Sequence, residues 1–140
     1  MFAYTSPVRE MLLALKAGNG FHVRAWLATF LSDRAGANHV DCIVPMPLHD
    51  NRLAERGFNQ SLELAGTLAK TSGKPLLKSA VLREIDTPHQ TGLRLKARQR
   101  NVRGAFRCLR RFDGQHVLVV DDVMTSGSSL NELARTLKLA

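Results

Sequence analysis

The sequence predicts an α/β domain in which a mostly parallel sheet is flanked by helices. Residues 116–123 form a continuous, largely β-branched run, which is typical of a strand buried on both faces. Small residues at 125–129 then predict a turn, and the apolar spacing over 130–137 predicts a helix. A strand followed by a tight loop and a helix favours parallel strand pairing, since parallel strands need such crossovers.

Length and composition are those of one globular domain. The chain has 140 residues, of which 44% are hydrophobic and 23% charged. No apolar run approaches the roughly 18–20 residues of a membrane helix, and the N-terminus lacks the pattern of a secretory signal. We therefore expect a cytoplasmic protein without a membrane partner, in which Cys42 and Cys108 are free thiols.

Residues 1–36 predict a helical cover, and residues 37–140 predict the core of this single domain. Two segments of the cover have a single apolar stripe each, the first near 8–15 and the second near 23–30. In the core, Val40–Val44 predicts a buried strand because two prolines end the apolar run. Residues 49–58 predict a polar loop.

Besides the helix over 130–137, a core helix is predicted after the loop at 49–58. Asn59 is its expected N-cap and Gly73 lies beyond its end. Its expected core face consists of four apolar residues, Leu62, Ala65, Leu68 and Ala69. The remaining elements are less regular: strands at 76–82 and 105–109, a loop at 85–95 and a short helix at 96–102.

The net charge of +8 comes from one segment. Residues 92–111 contain eight Lys and Arg residues and no acid, so the other 120 residues carry 12 basic and 12 acidic residues. Such a block indicates a polyanionic partner, either phosphates on a small molecule or a nucleic-acid backbone. The alternative is a solvated helix face that is merely basic.

The chemistry is concentrated where the last strand ends. Asp121 and Asp122 follow the strand, and 125–129 is rich in hydroxyls and contains Gly127. The first amides of a helix and a small-residue loop together favour phosphate binding. Two carboxylates beside that loop suit the hydroxyls of an attached sugar, or a divalent cation. The pattern therefore predicts a sugar-phosphate site, although a helix cap alone would use the same small residues.

Residues 119–130 resemble the 5-phosphoribosyl-1-diphosphate (PRPP) motif of type I phosphoribosyltransferases. Four further blocks resemble successive motifs of the ComF/GntX group in that superfamily, and together the blocks span about 40–140 in the same order. These blocks are Val44-Pro-Met-Pro-Leu-His49, Arg56-Gly-Phe-Asn-Gln60, Gln90-Thr-Gly-Leu93 and Arg100-Asn-Val-Arg-Gly-Ala-Phe106.

The resemblance implies a binding role for each part of the last motif. Asp121 and Asp122 would hold the ribose hydroxyls, and either could contact a Mg²⁺ ion that accompanies the diphosphate. The 5′-phosphate would be bound by five consecutive residues, Thr125, Ser126, Gly127, Ser128 and Ser129.

The resemblance also implies which segments lie near the diphosphate. Two segments are candidates: the loop after the first strand, and residues 87–103, which would correspond to a loop that covers the site. The candidate residues on these segments are Pro47, Arg52, Arg56, Arg100 and Arg103. Arginine and a metal ion would stabilise the charge of a departing diphosphate. His49 and His89 are acid–base candidates, or simply solvated loop histidines.

Two functions remain open at this stage. The first is a ComF-type, phosphoribosyltransferase-like protein that binds PRPP or a related ribose 5-phosphate, whether or not it catalyses transfer. The second is a non-catalytic accessory protein in DNA uptake that contacts single-stranded DNA or a competence protein through the basic block. The group usually has an N-terminal zinc-binding segment and a further C-terminal strand. We expect both to be lacking here, which would leave a sheet edge open to self-association.

Overall fold

The computed structural model of the chain describes residues 39–86 and 101–140, together with Ser6 and Glu10. The two helices predicted within 1–36 and most of the predicted covering loop, including His89 and Arg100, lie outside the described residues. In chain order the elements are β1 (Cys42–Pro45), α1 (Asp50–Arg56), α2 (Gln60–Ser72), β2 (Val81–Arg83), β3 (Phe106–Cys108), β4 (Val117–Val120) and α3 (Ser128–Lys138).

The predicted α/β class is confirmed by a parallel pair of strands. β1 and β4 run parallel, with Cys42 opposite Val117 and Pro45 opposite Val120. On its other edge β1 meets the segment after α2, where Ile43 bridges Leu76 in parallel. The predicted strand at 76–82 is therefore divided into this single bridge and a separate strand, β2.

The second pair of strands, β2 and β3, is antiparallel. Val81 and Phe106 are buried in this pair, whereas Leu82 is 39% exposed. An antiparallel pair tolerates one solvated face, which a parallel pair covered by helices does not. The prediction of a strand at 105–109 is confirmed by β3, while the sheets among the described residues are more mixed than the predicted parallel arrangement.

The prediction of a loop over 49–58 is wrong, because α1 occupies most of it. His49 is its N-cap and accepts a hydrogen bond from the Asn51 amide at 3.3 Å. Gly57 ends the helix with a φ of 76° and donates to the Leu53 carbonyl at 2.8 Å. No residue of α1 is buried, so the helix has no apolar stripe and its periodicity gave no signal.

The predicted cap of α2 is confirmed. Asn59 Oδ1 accepts from the Ser61 and Leu62 amides at 3.0 and 3.3 Å, and Gly73 follows the helix with a φ of 67°. The predicted core face is confirmed at Ala65, Leu68 and Ala69, whereas Leu62 is only half-buried and Leu64 is buried in its place. The buried apolar residues of the helix are Leu64, Ala65, Leu68 and Ala69.

The parallel pair lies between α2 and α3. On one face, Val44 packs in a cluster with Leu133 and Leu137 of α3. On the other face, Ile43 and Val120 pack with apolar side chains of α2. β4 was predicted to be buried on both faces, but only Val120 is fully buried. The reason is that β4 pairs with β1 alone among the residues described, so its other edge lacks a strand.

Both cysteines are free thiols, as predicted. Burial raises the pKa of Cys42 and of Cys108, which keeps both thiols protonated at neutral pH. Within residues 39–86 and 101–140, no helix combines the length and apolar character that crossing a membrane requires.

Candidate functional site

The site lies at the carboxyl ends of β1 and β4, which the parallel pairing brings to the same edge. The Met46 amide donates to the Val120 carbonyl at 2.8 Å, so the loop that follows β1 runs beside the start of the loop that follows β4. In open α/β sheets this edge is where ligands bind. The loop that contains Pro47 and the loop that contains Asp121 therefore begin beside each other, and both carry predicted site residues.

Asp121 is held by two hydrogen bonds on the same oxygen. Its Oδ1 accepts from Ser61 Oγ at 3.1 Å and from the Asp122 amide at 2.9 Å. Burial, and next the charge of Asp122, raise the pKa of Asp121 to about 6, against the opposing effect of the two hydrogen bonds. A raised pKa of this kind is common for carboxyl groups at functional sites.

The start of α3 has no side-chain cap. Gly127 is the N-cap residue, with a φ of 72°, and the first turn contains no acid. A φ of this sign favours glycine, so a side chain here would be strained. The amides of Ser129 and Leu130 belong to the first turn, where the helix itself provides no acceptor. In contrast, the equivalent amides of α2 are capped by Asn59.

The predicted phosphate-binding hydroxyls differ in their surroundings. Ser126 Oγ and Ser128 Oγ are hydrogen-bonded to each other at 2.9 Å, and the Ser128 amide donates weakly to Ser126 Oγ at 3.4 Å. One hydroxyl proton of this pair remains available to an acceptor. Thr125 is exposed and Ser129 half-buried. Residues 125–129 thus provide backbone amides and side-chain hydroxyls that can donate hydrogen bonds to an anion.

The candidates on the loop after β1 are engaged with acids. Asp86 accepts from Asn51 Nδ2 at 2.9 Å, and it lies 3.4 Å from Arg52 Nε and 3.8 Å from His49 Nδ1. The Asn51 hydrogen bond is the main reason why the pKa of Asp86 is lowered. Arg52 also contacts Glu55 at 3.1 Å. His49 caps α1 and Arg52 is ion-paired, so both have structural roles in the absence of a ligand.

Arg56 and Pro47 occupy different positions around this loop. Arg56 is exposed at the end of α1, and its guanidinium donates to Gln60 Oε1 at 3.5 Å. Pro47 lines a hollow of about 540 Å³ between the loop after β1, the start of α2 and β2. Its lining is mixed in charge, with Lys78 and Arg83 beside Asp50 and Glu84.

Arg83 is a functional candidate that sequence reasoning missed. Its guanidinium lies 5.7 Å from the centre of the Phe106 ring, and the charges of Asp86 and Asp121 act on it. Burial is the main reason why the pKa of Arg83 is lowered, and the two acids oppose that shift. A single Arg in a short strand gave no signal, because its relation to Asp121 exists only after folding.

Two of the four basic residues of the block that the structure describes form ion pairs. Arg107 forms an ion pair with Glu84, and Arg111 contacts Asp113 at 2.8 Å. Arg110 stacks on Phe112, with its guanidinium 5.1 Å from the ring centre. Arg103, a predicted diphosphate candidate, is exposed. The acids paired with Arg107 and Arg111, Glu84 and Asp113, lie outside 92–111.

The described residues include no group of three or more His, Cys, Asp or Glu side chains that could hold a metal ion. The acid pair therefore provides at most two carboxylates. Mg²⁺ is commonly bound by one or two carboxylates together with substrate phosphates, so this donor set fits a magnesium ion that arrives with a phosphorylated ligand.

Fold and site together define an α/β protein whose candidate site consists of an acid pair and a helix N-terminus without a side-chain cap. No protein-family model and no solved structure matches the chain. Curated proteins do match along almost all of it, and their names support the resemblance to the ComF family.

Three relatives illustrate the similarity. The chain is 34% identical over 141 residues to the DNA utilization protein YhgH of Salmonella typhimurium, covering 96% of the chain and 62% of the relative. It is 32% identical over 145 residues to competence protein F of Haemophilus influenzae, covering 96% and 63%. It is 26% identical over 147 residues to competence protein ComFC of Bacillus subtilis, covering 98% and 56%. The chain thus spans less than two thirds of the length of these relatives.

Proposed function

We propose that this chain is a ComF-family, phosphoribosyltransferase-like protein that binds PRPP or a related ribose 5-phosphate together with Mg²⁺. One observation carries the proposal: a half-buried acid pair follows β4 and, six residues after Asp122, the chain enters a helix that has no side-chain cap and no acid in its first turn. Such an arrangement suits a ligand with hydroxyls at one end and a phosphate at the other.

The ribose end of the ligand would be bound by Asp121 and Asp122. An ionised carboxylate only accepts hydrogen bonds, so it recognises hydroxyls and repels phosphate. The 5′-phosphate would be bound by the amides at the start of α3 and by the hydroxyls of 125–129. The helix N-terminus adds a partial positive charge for that anion.

The diphosphate end would lie towards the loop after β1 and Arg83. Arg83 is already close enough for its charge to interact with Asp121, and Arg52 and Lys78 are nearby cations of the same region. A bound Mg²⁺ would supply positive charge that neutralises the diphosphate oxygens. Residues 87–103, which the resemblance assigns to a covering loop, would exclude water from the ligand.

In a transfer reaction, the bond between ribose C1 and the diphosphate oxygen breaks, and C1 forms a bond to an acceptor. The electron pair of the broken bond leaves with diphosphate, so arginine side chains that face it stabilise the developing charge. No covalent protein intermediate is required. The contribution of this chain would be to orient the ribose through its acid pair and to hold the phosphate at α3.

Isothermal titration calorimetry with PRPP and Mg²⁺ tests the proposal. We expect saturable binding by the wild type and a loss of at least tenfold in affinity for the Asp121→Asn/Asp122→Asn double variant, since each lost charged hydrogen bond contributes about 1.5–3 kcal/mol. Asp113→Asn is the matched control, because Asp113 is exposed and paired with Arg111. Absence of binding by the wild type, or equal binding by the double variant, would defeat the proposal.

A second candidate function is an accessory role with DNA. Relatives named for DNA utilization and for competence favour it, as does the basic segment 92–111. Binding driven by phosphates would weaken steeply as salt rises. Affinity for an oligonucleotide measured between about 50 and 200 mM salt decides: a steep slope supports phosphate contacts, and a flat slope argues against them.

A further inference from the structure

Segment Asn59–Ser61 is bonded both to the loop after β1 and to the acid pair after β4, although the proposed ligand contacts do not include it. Asn59 Nδ2 donates to the Met46 carbonyl at 3.0 Å, which ties α2 to the loop after β1. Ser61 Oγ donates to Asp121 Oδ1 at 3.1 Å, which ties α2 to the end of β4. The two bonds fix the two strand ends relative to one helix terminus.

Ser61 is buried, with 4% of its surface exposed, so water does not compete for its hydroxyl. Together with the Asp122 amide, it gives Oδ1 two donors. A carboxylate oxygen has two lone pairs, and both are then used by the protein. Both of these hydrogen bonds end on Oδ1, and the Asp122 side chain also lies within hydrogen-bonding reach of the Asp121 carboxyl.

We infer that Ser61 is a positioning residue that fixes the Asp121 carboxylate so that Oδ2 faces the ligand hydroxyls. This inference rests on the proposed ribose-binding role of Asp121. Without the Ser61 hydroxyl, the carboxylate keeps only its bond to the Asp122 amide and can rotate about its χ2 torsion, which is a broad, soft torsion. Among the described residues, the hydrogen bonds of Ser61 join it to Asn59 and Asp121 and not to the phosphate end at 125–129.

The prediction is a selective loss. In Ser61→Ala, affinity for ribose 5-phosphate falls by about tenfold, equivalent to about 1.4 kcal/mol, while affinity for inorganic phosphate is unchanged. Both are measured by NMR titration of the amides at the start of α3, with Mg²⁺ present. Ser72→Ala is the matched control, because it removes a hydroxyl from the same helix that donates to the Leu68 carbonyl at 2.7 Å. It should bind both ligands like the wild type.

The outcomes are separable. If the wild type binds neither ligand, the proposed function fails and this inference fails with it. If the wild type binds ribose 5-phosphate and Ser61→Ala binds it equally well, the positioning role alone is overturned. Equal weakening for ribose 5-phosphate and inorganic phosphate also overturns it, because a general disturbance of the fold would affect both ligands alike.

Discussion

Replacing Asp121 with Asn should stabilise the protein, and the gain should grow with pH. The folded state raises the pKa of Asp121 from 3.8 to about 6, mainly through burial. The folded protein therefore binds more protons than the unfolded chain between these values, and its stability falls as the pH rises through that window. Above about pH 6 the full cost of ionising this carboxyl in the folded protein is present, up to about 3 kcal/mol.

Asn is a close isostere without the charge. Its carbonyl oxygen can accept the same two hydrogen bonds, from Ser61 Oγ and the Asp122 amide, and its amide can donate to the Asp122 carboxylate. The expected gain in the free energy of unfolding is about 3 kcal/mol at about pH 8 and about 1.5 kcal/mol at about pH 5, because the unfolded Asp is already ionised at the lower pH while the folded one is not.

Urea denaturation at the two pH values measures this difference. Asp113→Asn is the control: that carboxylate is exposed and bonded to Arg111, so its replacement should destabilise the protein by at most about 1 kcal/mol at both pH values. The reasoning is refuted if Asp121→Asn destabilises the protein at about pH 8, or if its effect is the same at both pH values.

Three further changes test the fold around the site by urea denaturation. Asn59→Ala removes the cap of α2 and the bond to Met46, and should cost about 1–3 kcal/mol; Asn59→Ser, which can still cap, should recover part of it. Gly127→Ala should cost about 1 kcal/mol because of the φ of 72°, and no cost would show that the turn relaxes. Leu133→Ala should cost about 2–5 kcal/mol, since Leu133 is fully buried; a loss below about 1 kcal/mol would contradict its place in the core.

The sequence was most informative where local rules and burial agree. The Asn59 cap, β3 and the two apolar runs that form β1 and β4 followed from residue types and their spacing. α1 was missed because its caps are its only signal: it buries no residue and therefore has no apolar period. Propensity and periodicity report on the core, so an exposed helix held by its termini escapes them.

The site was predictable in part for the same reason. Asp121 and the residues at the start of α3 are consecutive, so one stretch of sequence contained them. Arg83 and Ser61 were not found, because they reach Asp121 only through the tertiary fold. The ion pairs of Arg107 and Arg111 were not predicted either, because their acid partners lie outside 92–111. Short-range patterns identify ligand-binding loops, whereas charge balance depends on contacts between distant segments.

Two unfavourable features lie within seven residues of one another, and they have opposite electrostatic character. Asp121 is a buried acid whose ionisation is costly, and the start of α3 has amide donors without a side-chain cap. At α2 the chain avoids the cost of uncapped amides, because Asn59 caps that helix. The acid and the amides do not offset each other within the protein either, because no acidic residue lies in the first turn of α3. A ligand with hydroxyls for the carboxylates and a phosphate for the amides would relieve both at once, so the stability that the free protein forgoes here is available as binding energy.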